Sequence, residues 1–254
     1  MPTRCTTVIQ VAGKYSLSLL SDVSRRNSDK RIARLTNFLH PSKRLLRICS
    51  TMYGHIDFLD WLNELPRDKK CPTYQHFATR QQLWLYLAEE LRVRKPRYVL
   101  EFGVANGDGT RFWLKHLEEI SYHGFDCFTG MPQKYRQVPK GVFNLFGMPP
   151  SHVSDARVTW HVGLVEDTLP HFEIPTDHPK LLLFDLDLYS PTSFALAKVE
   201  PYLKPSDIVY FDEAWDDAEG VVARNLVTNS KNVRLLASAT GCMAIEFIAA
   251  RQEP

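Results

Sequence analysis

Two apolar runs that each end in acid set the strongest limit on what this chain can fold into. Leu181-Leu182-Leu183-Phe184 leads into Asp185-Leu186-Asp187-Leu188-Tyr189, and Ile208-Val209-Tyr210-Phe211 leads into Asp212-Glu213-Ala214-Trp215-Asp216-Asp217. Short continuous apolar runs bounded by polar residues mark strands buried on both faces of a parallel sheet. Between them, Pro191 to Leu203 carries Phe194, Leu196, Ala197, Val199 and Leu203, enough for a crossover helix with Pro191 near its first turn and Pro205 beyond its end. A right-handed βαβ unit puts both acidic ends on one edge, where open α/β sheets bind ligands. Neighbouring strands lie about 4.8 Å apart, so Asp185, Asp212 and Glu213 are placed to share one cation.

A second, earlier unit points to the same edge. The apolar spacing Leu83, Leu87, Leu91 with Phe77, Trp84 and Ala88 predicts a helix between His76 and Lys95. A strand follows, Tyr98-Val99-Leu100-Glu101-Phe102, and then the turn Gly103-Val104-Ala105-Asn106-Gly107-Asp108-Gly109-Thr110 and a helix through Phe112, Trp113, Leu114 and Leu117. A glycine-rich turn between strand and helix lets backbone approach a ligand and aims amide donors at it. Its glycines, at 103, 107 and 109, do not follow the dinucleotide fingerprint. The next strand, Ser121 to Phe125, closes in Asp126, an acid suited to ribose hydroxyls; a helix cap or loop acid is the plainer reading, and the glycine turn tips the balance to the ribose. The long connection from Cys127 to about Ala156, with Tyr135, Phe143, Phe146 and Met148, has the aromatic content of a substrate lid. Arg157 to Val162 is a third strand, followed by Gly163.

Composition limits the class and the compartment. The chain has 254 residues, 44% of them hydrophobic and 24% charged, which suits one α/β domain with an extension. Residues 1–50 hold ten Lys/Arg against two Asp, whereas the remainder holds 21 against 27. The basic part, residues 1–75, reads as a helical extension, with Arg31, Arg34, Lys43, Arg44 and Arg47 among Ile32, Leu35, Phe38, Leu45, Leu46 and Ile48. A solvated face packed on the main domain or on a second subunit explains it better than a nucleic-acid patch, since aromatic residues are not interleaved with the basic ones. Within it, Ile56, Phe58, Leu59, Trp61, Leu62 and Leu65 are too apolar to stay exposed. Five scattered cysteines without a C-x-x-C pair fit a reducing cytoplasm and no zinc site. No apolar stretch reaches the length of about 20 residues that spans a bilayer.

In their order, the motifs resemble those of the S-adenosylmethionine- and magnesium-dependent O-methyltransferases of the macrocin and mycinamicin sugar type. Glu101-Phe102-Gly103-Val104 with Gly107 is similar to the family's E-x-G-V-x-x-G turn, and Gly124 to Pro132 to its F-D-S-F-E-G-L-P segment. Gly163 through Pro170 resembles G-x-F-x-D-T-L-P, Asp185 to Tyr189 resembles D-x-D-L-Y, and Phe211-Asp212-Glu213 the V-D-D-Y strand end. Thr129 and Glu213 depart from the pattern, but glutamate is still a hard oxygen ligand. The resemblance runs from about residue 97 to 225 and leaves the N-terminal third uncovered.

It implies a Rossmann-like class I methyltransferase of seven mostly parallel strands over residues 76–254, with one reversed edge strand in its final hairpin. S-adenosylmethionine would lie against Glu101, Gly103, Val104, Gly107, Asp126, Gly163 and Asp185. Mg²⁺ would be held by Asp185, Asp212 and Glu213, and Asp187 would be the general base, on the side of Asp185 if the chain stays extended there. The acceptor would be a saccharide or glycosylated natural product, with a catechol-like phenol second. A nicotinamide-dependent oxidoreductase would share the fold but needs the other glycine spacing, and a metal hydrolase would not need the turn. A non-catalytic module with a vestigial site remains the third alternative.

Overall fold

The structure, a computed structural model, describes residues 43–136 and 138–249. The basic, apolar-interleaved pattern around Arg31 to Phe38 lies outside them. The chain divides into two units, Met1–Thr51 and Met52–Pro254. The first holds, of described residues, only the opening turns of helix α1 (Lys43–Glu64).

The second unit is built on one sheet. Its strands are β1 (Lys70–Phe77), β2 (Tyr98–Phe102), β3 (Ser121–Asp126), β4 (Val158–Val162), β5 (Lys180–Phe184), β6 (Ile208–Phe211), β7 (Val233–Ala239) and β8 (Cys242–Phe247), in the order β1-β7-β8-β6-β5-β2-β3-β4. All pairings are parallel except those of β8 with β6 and β7. Helices α2 (Arg80–Arg94), α3 (Asp108–His116), α4 (Val165–Thr168), α5 (Tyr189–Val199) and α6 (Glu219–Asn229) connect them.

Strand alternation feeds two cores. Leu182 and Phe184 of β5 turn to the layer holding α1, α5 and α6, with Phe58, Leu62, Leu196 and Leu226. Leu181 and Leu183 turn to the layer holding α2 and α3, with Leu83, Leu87, Leu91 and Trp113. The predicted stripe on α2 is realised in the core; of the apolar residues from Ile56 to Leu65, Phe58, Leu62 and Leu65 are buried there and Trp61 packs against them, whereas Ile56 and Leu59 are each 41% exposed, against expectation. Capping sets where α2 begins: Thr79 Oγ1 accepts from Gln82 N while Gln82 Oε1 accepts from Thr79 N.

Two expectations need correction. The sheet has eight strands, because Lys70–Phe77, read from sequence as the end of a helical extension, is an edge strand paired with β7. Pro72 is tolerated there because an edge strand needs only one ladder. Its side chains are mostly not buried, so it lacks the apolar run that marks the central strands. Nor is the reversed strand at the edge. β8 is inserted between β6 and β7, and Cys242, Met243, Ala244 and Ile245 are buried.

At the opposite edge from the acids, Lys180 and Asp207 form a fully buried ion pair, Nζ to Oδ2 2.8 Å. Asp207 also accepts from the backbone N–H of Lys180 and of Lys204, both at 2.8 Å. Removing one partner strands the other charge in the core. Lys180→Met is expected to lower unfolding free energy by about 3–5 kcal/mol in urea titration; a loss below about 1 kcal/mol would show that the backbone amides suffice for Asp207.

Candidate active site

Because β2, β3, β5 and β6 run parallel, their C-terminal ends share an edge, and the chain reverses its direction of spread between β2 and β5. This is the switch point at which open sheets bind ligands. Gly103 sits there at φ +88°, and a Cβ on it would overlap the carbonyl oxygen of Asp185 and lie 2.7 Å from its carbon. Gly107, at φ +73°, caps α3, and a Cβ there would press on Val153 and Pro150 at 2.9 and 3.1 Å. Both glycines are required by the backbone.

The turn is clamped from two sides. Asp126 Oδ2 accepts from Val104 N at 2.8 Å and Ala105 N at 2.9 Å, and Oδ1 accepts from Phe128 N at 2.7 Å. Asp126 thus first ties the turn to β3; Oδ1, with one backbone bond, retains acceptor capacity for a hydroxyl. Glu101 points beneath the turn, where it accepts from Thr110 Oγ1 at 2.5 Å and faces Gly109. Burial pushes its carboxyl up to about 8, against the bond from Thr110. Gly163, at φ +148°, donates its N–H to Asp126 O, which brings the end of β4 beside Asp126. His161 is a packing residue, stacked on Phe125 at 4.2 Å.

The acidic edge lies beside this turn. Asp185 is exposed but crowded, and the protein around it, then Asp212, Asp187, Glu219 and Glu213, push its carboxyl well above the usual range. Asp187 is not in extended chain. Its φ is +62° and Leu188 N donates to Leu186 O at 2.7 Å, so it heads a tight turn, and the alternation argument for its side fails. It nevertheless faces the cluster: burial, Asp212 and Asp216 raise it to about 6. Aspartate is one of the few residues that adopts this backbone readily, and such strain collects at functional sites.

Asp212 is already engaged, by Arg80 Nη1 at 2.8 Å on Oδ2 and by Tyr210 Oη at 2.5 Å on Oδ1. Glu213 accepts from the Trp215 indole, and burial with Asp212 and Asp187 pushes it up to about 8. Among the described residues, no group of three His, Cys, Asp or Glu is set to hold a metal ion. The donor chemistry of Asp185, Asp212 and Glu213 suits Mg²⁺, but two of the three already spend oxygens on Arg80, Tyr210 and Trp215.

Glu219 and Arg80 escaped the sequence reading. Glu219 is buried and closes the edge: Oε2 accepts from Leu186 N and Thr192 Oγ1, and Oε1 from Asp212 N and Glu213 N. The pair Glu219-Gly220 was its only signal, since a Cβ at Gly220 would lie 2.6 Å from Ala214 O. Arg80 comes from α2, before the motif-bearing region. Asp216 is buried, accepting from Ala218 N, Gly220 N and the Tyr135 hydroxyl. The predicted lid therefore reaches both parts of the site. Its Pro150 and Val153 face Gly107, its Tyr135 bonds Asp216, and its Arg136 lies over Trp215 at 4.1 Å and pairs with Asp217 at 3.1 Å. The opposing surface of Trp215 is occupied by packing as well, with His55 stacked at 4.2 Å.

The crowded carboxyls make stability depend on pH. Glu101, Glu213 and Glu219 each rise to about 8, and Asp187 to about 6. A raised folded value gives stability that is full below the unfolded value and is lost as pH rises through the folded one. The urea midpoint should therefore fall between about pH 6.5 and about pH 9, by roughly 1–3 kcal/mol of unfolding free energy. His55, His76, His123 and His161, all lowered by burial, act in the opposite direction but only around the ordinary imidazole range, so a midpoint that holds or rises between about pH 8 and about pH 9 would contradict the crowding.

Comparison with known proteins agrees with this fold. Residues 100–214 match the model of a methyltransferase domain. No curated protein matches the chain by sequence. Among solved structures, CalS11, a calicheamicin methyltransferase, is 24% identical, with 77% of this chain and 91% of that one covered at a TM-score of 0.53. The O-methyltransferase NovP is 18% identical, with 66% and 79% covered, also at 0.53. At these identities the likeness is one of fold. Residues 100–214 thus resemble a methyltransferase domain, and the sheet has the Rossmann-like class I fold that the motifs predict.

Proposed function

We propose that this protein is an S-adenosylmethionine-dependent O-methyltransferase whose acceptor is a hydroxyl of a sugar or a glycosylated natural product. The observation that carries the reading is the glycine turn, clamped by Asp126 at the switch point and facing an acidic edge, within a domain matched to methyltransferases. The likeness to a calicheamicin methyltransferase favours a natural-product acceptor.

When bound, S-adenosylmethionine supplies a methyl group on a sulfonium, already a good leaving group. Gly103, Val104 and Gly107 would cradle it through backbone, with Asp126 Oδ1 on the ribose, and Glu101 and Gly163 supporting the turn. Asp185 would lie where donor and acceptor meet. The acceptor lacks nucleophilicity, and Asp187 would take its proton as the oxygen–carbon bond forms and the sulfur–carbon bond breaks. A group raised to about 6 is ionised at neutral pH yet basic enough for this task. Mg²⁺, if held by Asp185, Asp212 and Glu213, would lower the hydroxyl pKa and fix its direction. The folded connection carrying Phe146 and Met148, both exposed, would line the acceptor side. A cytoplasmic setting belongs to the same reading; among the described residues no helix is long and apolar enough to cross a membrane.

The test is methyl transfer from labelled S-adenosylmethionine to free and nucleotide-linked sugars and to catechols. Label on a sugar hydroxyl is the expected result. Label on catechols alone would replace the acceptor class, and no transfer despite tight cofactor binding would favour the non-catalytic alternative.

A further inference from the structure

The carboxylates at this edge outnumber the cations that meet them. Asp185, Asp187, Asp212, Glu213 and Glu219 act on one another electrostatically. Among the described residues, the cation bonded to one of the three candidate ligands is Arg80, whose guanidinium lies 2.8 Å from Asp212. Asp212, Tyr210 and Asp185 in turn raise the affinity of Arg80 for its proton, after the cost of burial, so the guanidinium feels two of the three acids. Its side chain is 45% exposed and lies over the Trp84 ring at 5.1 Å, whereas that of Asp212 is 9% exposed. The partner that can leave is therefore the arginine. Its backbone is fixed, because Thr79 and Gln82 cap the helix start on which it stands.

We propose that Arg80 is an in-chain counter-cation of the acidic edge, occupying the Asp212 oxygen that a divalent ion would need and so setting how readily such an ion enters. A divalent ion and the guanidinium compete for one carboxylate. Entry requires Arg80 to swing off Asp212, and the face of Trp84, over which the guanidinium already lies at 5.1 Å, can keep it once it is released. Arg80 is a positioning residue here, acting through Asp212. It also lies before the matched domain, so the element that sets metal access is not part of the part that carries the motifs.

The inference rests on Asp185, Asp212 and Glu213 as ligands and does not require methyl transfer. Mn²⁺, as a probe for Mg²⁺, is titrated calorimetrically into the full-length wild type, Arg80→Gln and Arg80→Lys, with S-adenosylhomocysteine titrated in parallel. Arg80→Gln should bind Mn²⁺ at least about tenfold more tightly than wild type, because a positive charge at contact distance is removed. Arg80→Lys, which keeps the charge, should stay within about threefold of wild type. A guanidinium with a merely structural role would move neither affinity in that order. Equal Mn²⁺ affinity in wild type and Arg80→Gln overturns the proposal, and so does micromolar binding by the wild type alone, which needs no variant to fold. Loss of S-adenosylhomocysteine binding with the Mn²⁺ order intact would count against the methyltransferase reading and leave this one standing.

Discussion

Asp187→Asn is expected to lower kcat by about 10²- to 10⁴-fold, the range a positioned general base contributes. S-adenosylhomocysteine affinity should stay close to that of the wild type. Asparagine is the informative substitution because it adopts positive φ nearly as readily as aspartate, so the tight turn at φ +62° survives while the proton acceptor is lost. A variant that retains more than about a tenth of wild-type kcat would remove Asp187 from the chemistry. It would move the role to Asp185, the other acid of the pair.

Gly103→Ala should have the largest structural effect of any single methyl added to this chain. The new Cβ meets a backbone carbonyl, which cannot rotate away, at a residue whose φ of +88° already disfavours a side chain. Strain and overpacking together predict a loss of about 3–5 kcal/mol in urea titration. The displaced atoms belong to Asp185, so cofactor affinity should fall along with stability. Gly141→Ala is the control. Its φ of +83° is similar, but nothing lies within 4 Å of the added carbon, so only the backbone term of about 1–2 kcal/mol applies. Equal losses in the two variants would show that the close approach of β2 to β5 contributes nothing.

The parts of this molecule that were legible in the sequence are those in which one segment announces itself. β2, β5 and β6 are unbroken apolar runs buried on both faces, and α2 repeats leucine at the helical period. The glycines at 103 and 107 are required by their own backbone and their close neighbours, so they too show in a short motif. What was hidden depends on pairing between distant segments. β1 is held by its ladder to β7 and carries a proline and polar residues, so no run marks it. Arg80 meets Asp212 across 132 positions, and Glu219 reaches back to Leu186, neither of which a local pattern encodes. Asp187 was put on the side of Asp185 by an argument about extended chain that its tight turn does not obey. Asp126 was read for its reach toward a ribose, whereas three backbone amides are its partners within the protein.

The most direct measurement is calorimetric titration of S-adenosylmethionine and S-adenosylhomocysteine into the purified chain, with and without Mg²⁺, for wild type and Asp126→Ala. The expected result is one site per chain for both compounds in the wild type, with the affinity lost or lowered at least about tenfold in Asp126→Ala, which both frees the turn and removes the ribose acceptor. Absence of binding to the wild type under either condition would contradict the account of the glycine turn as a cofactor site.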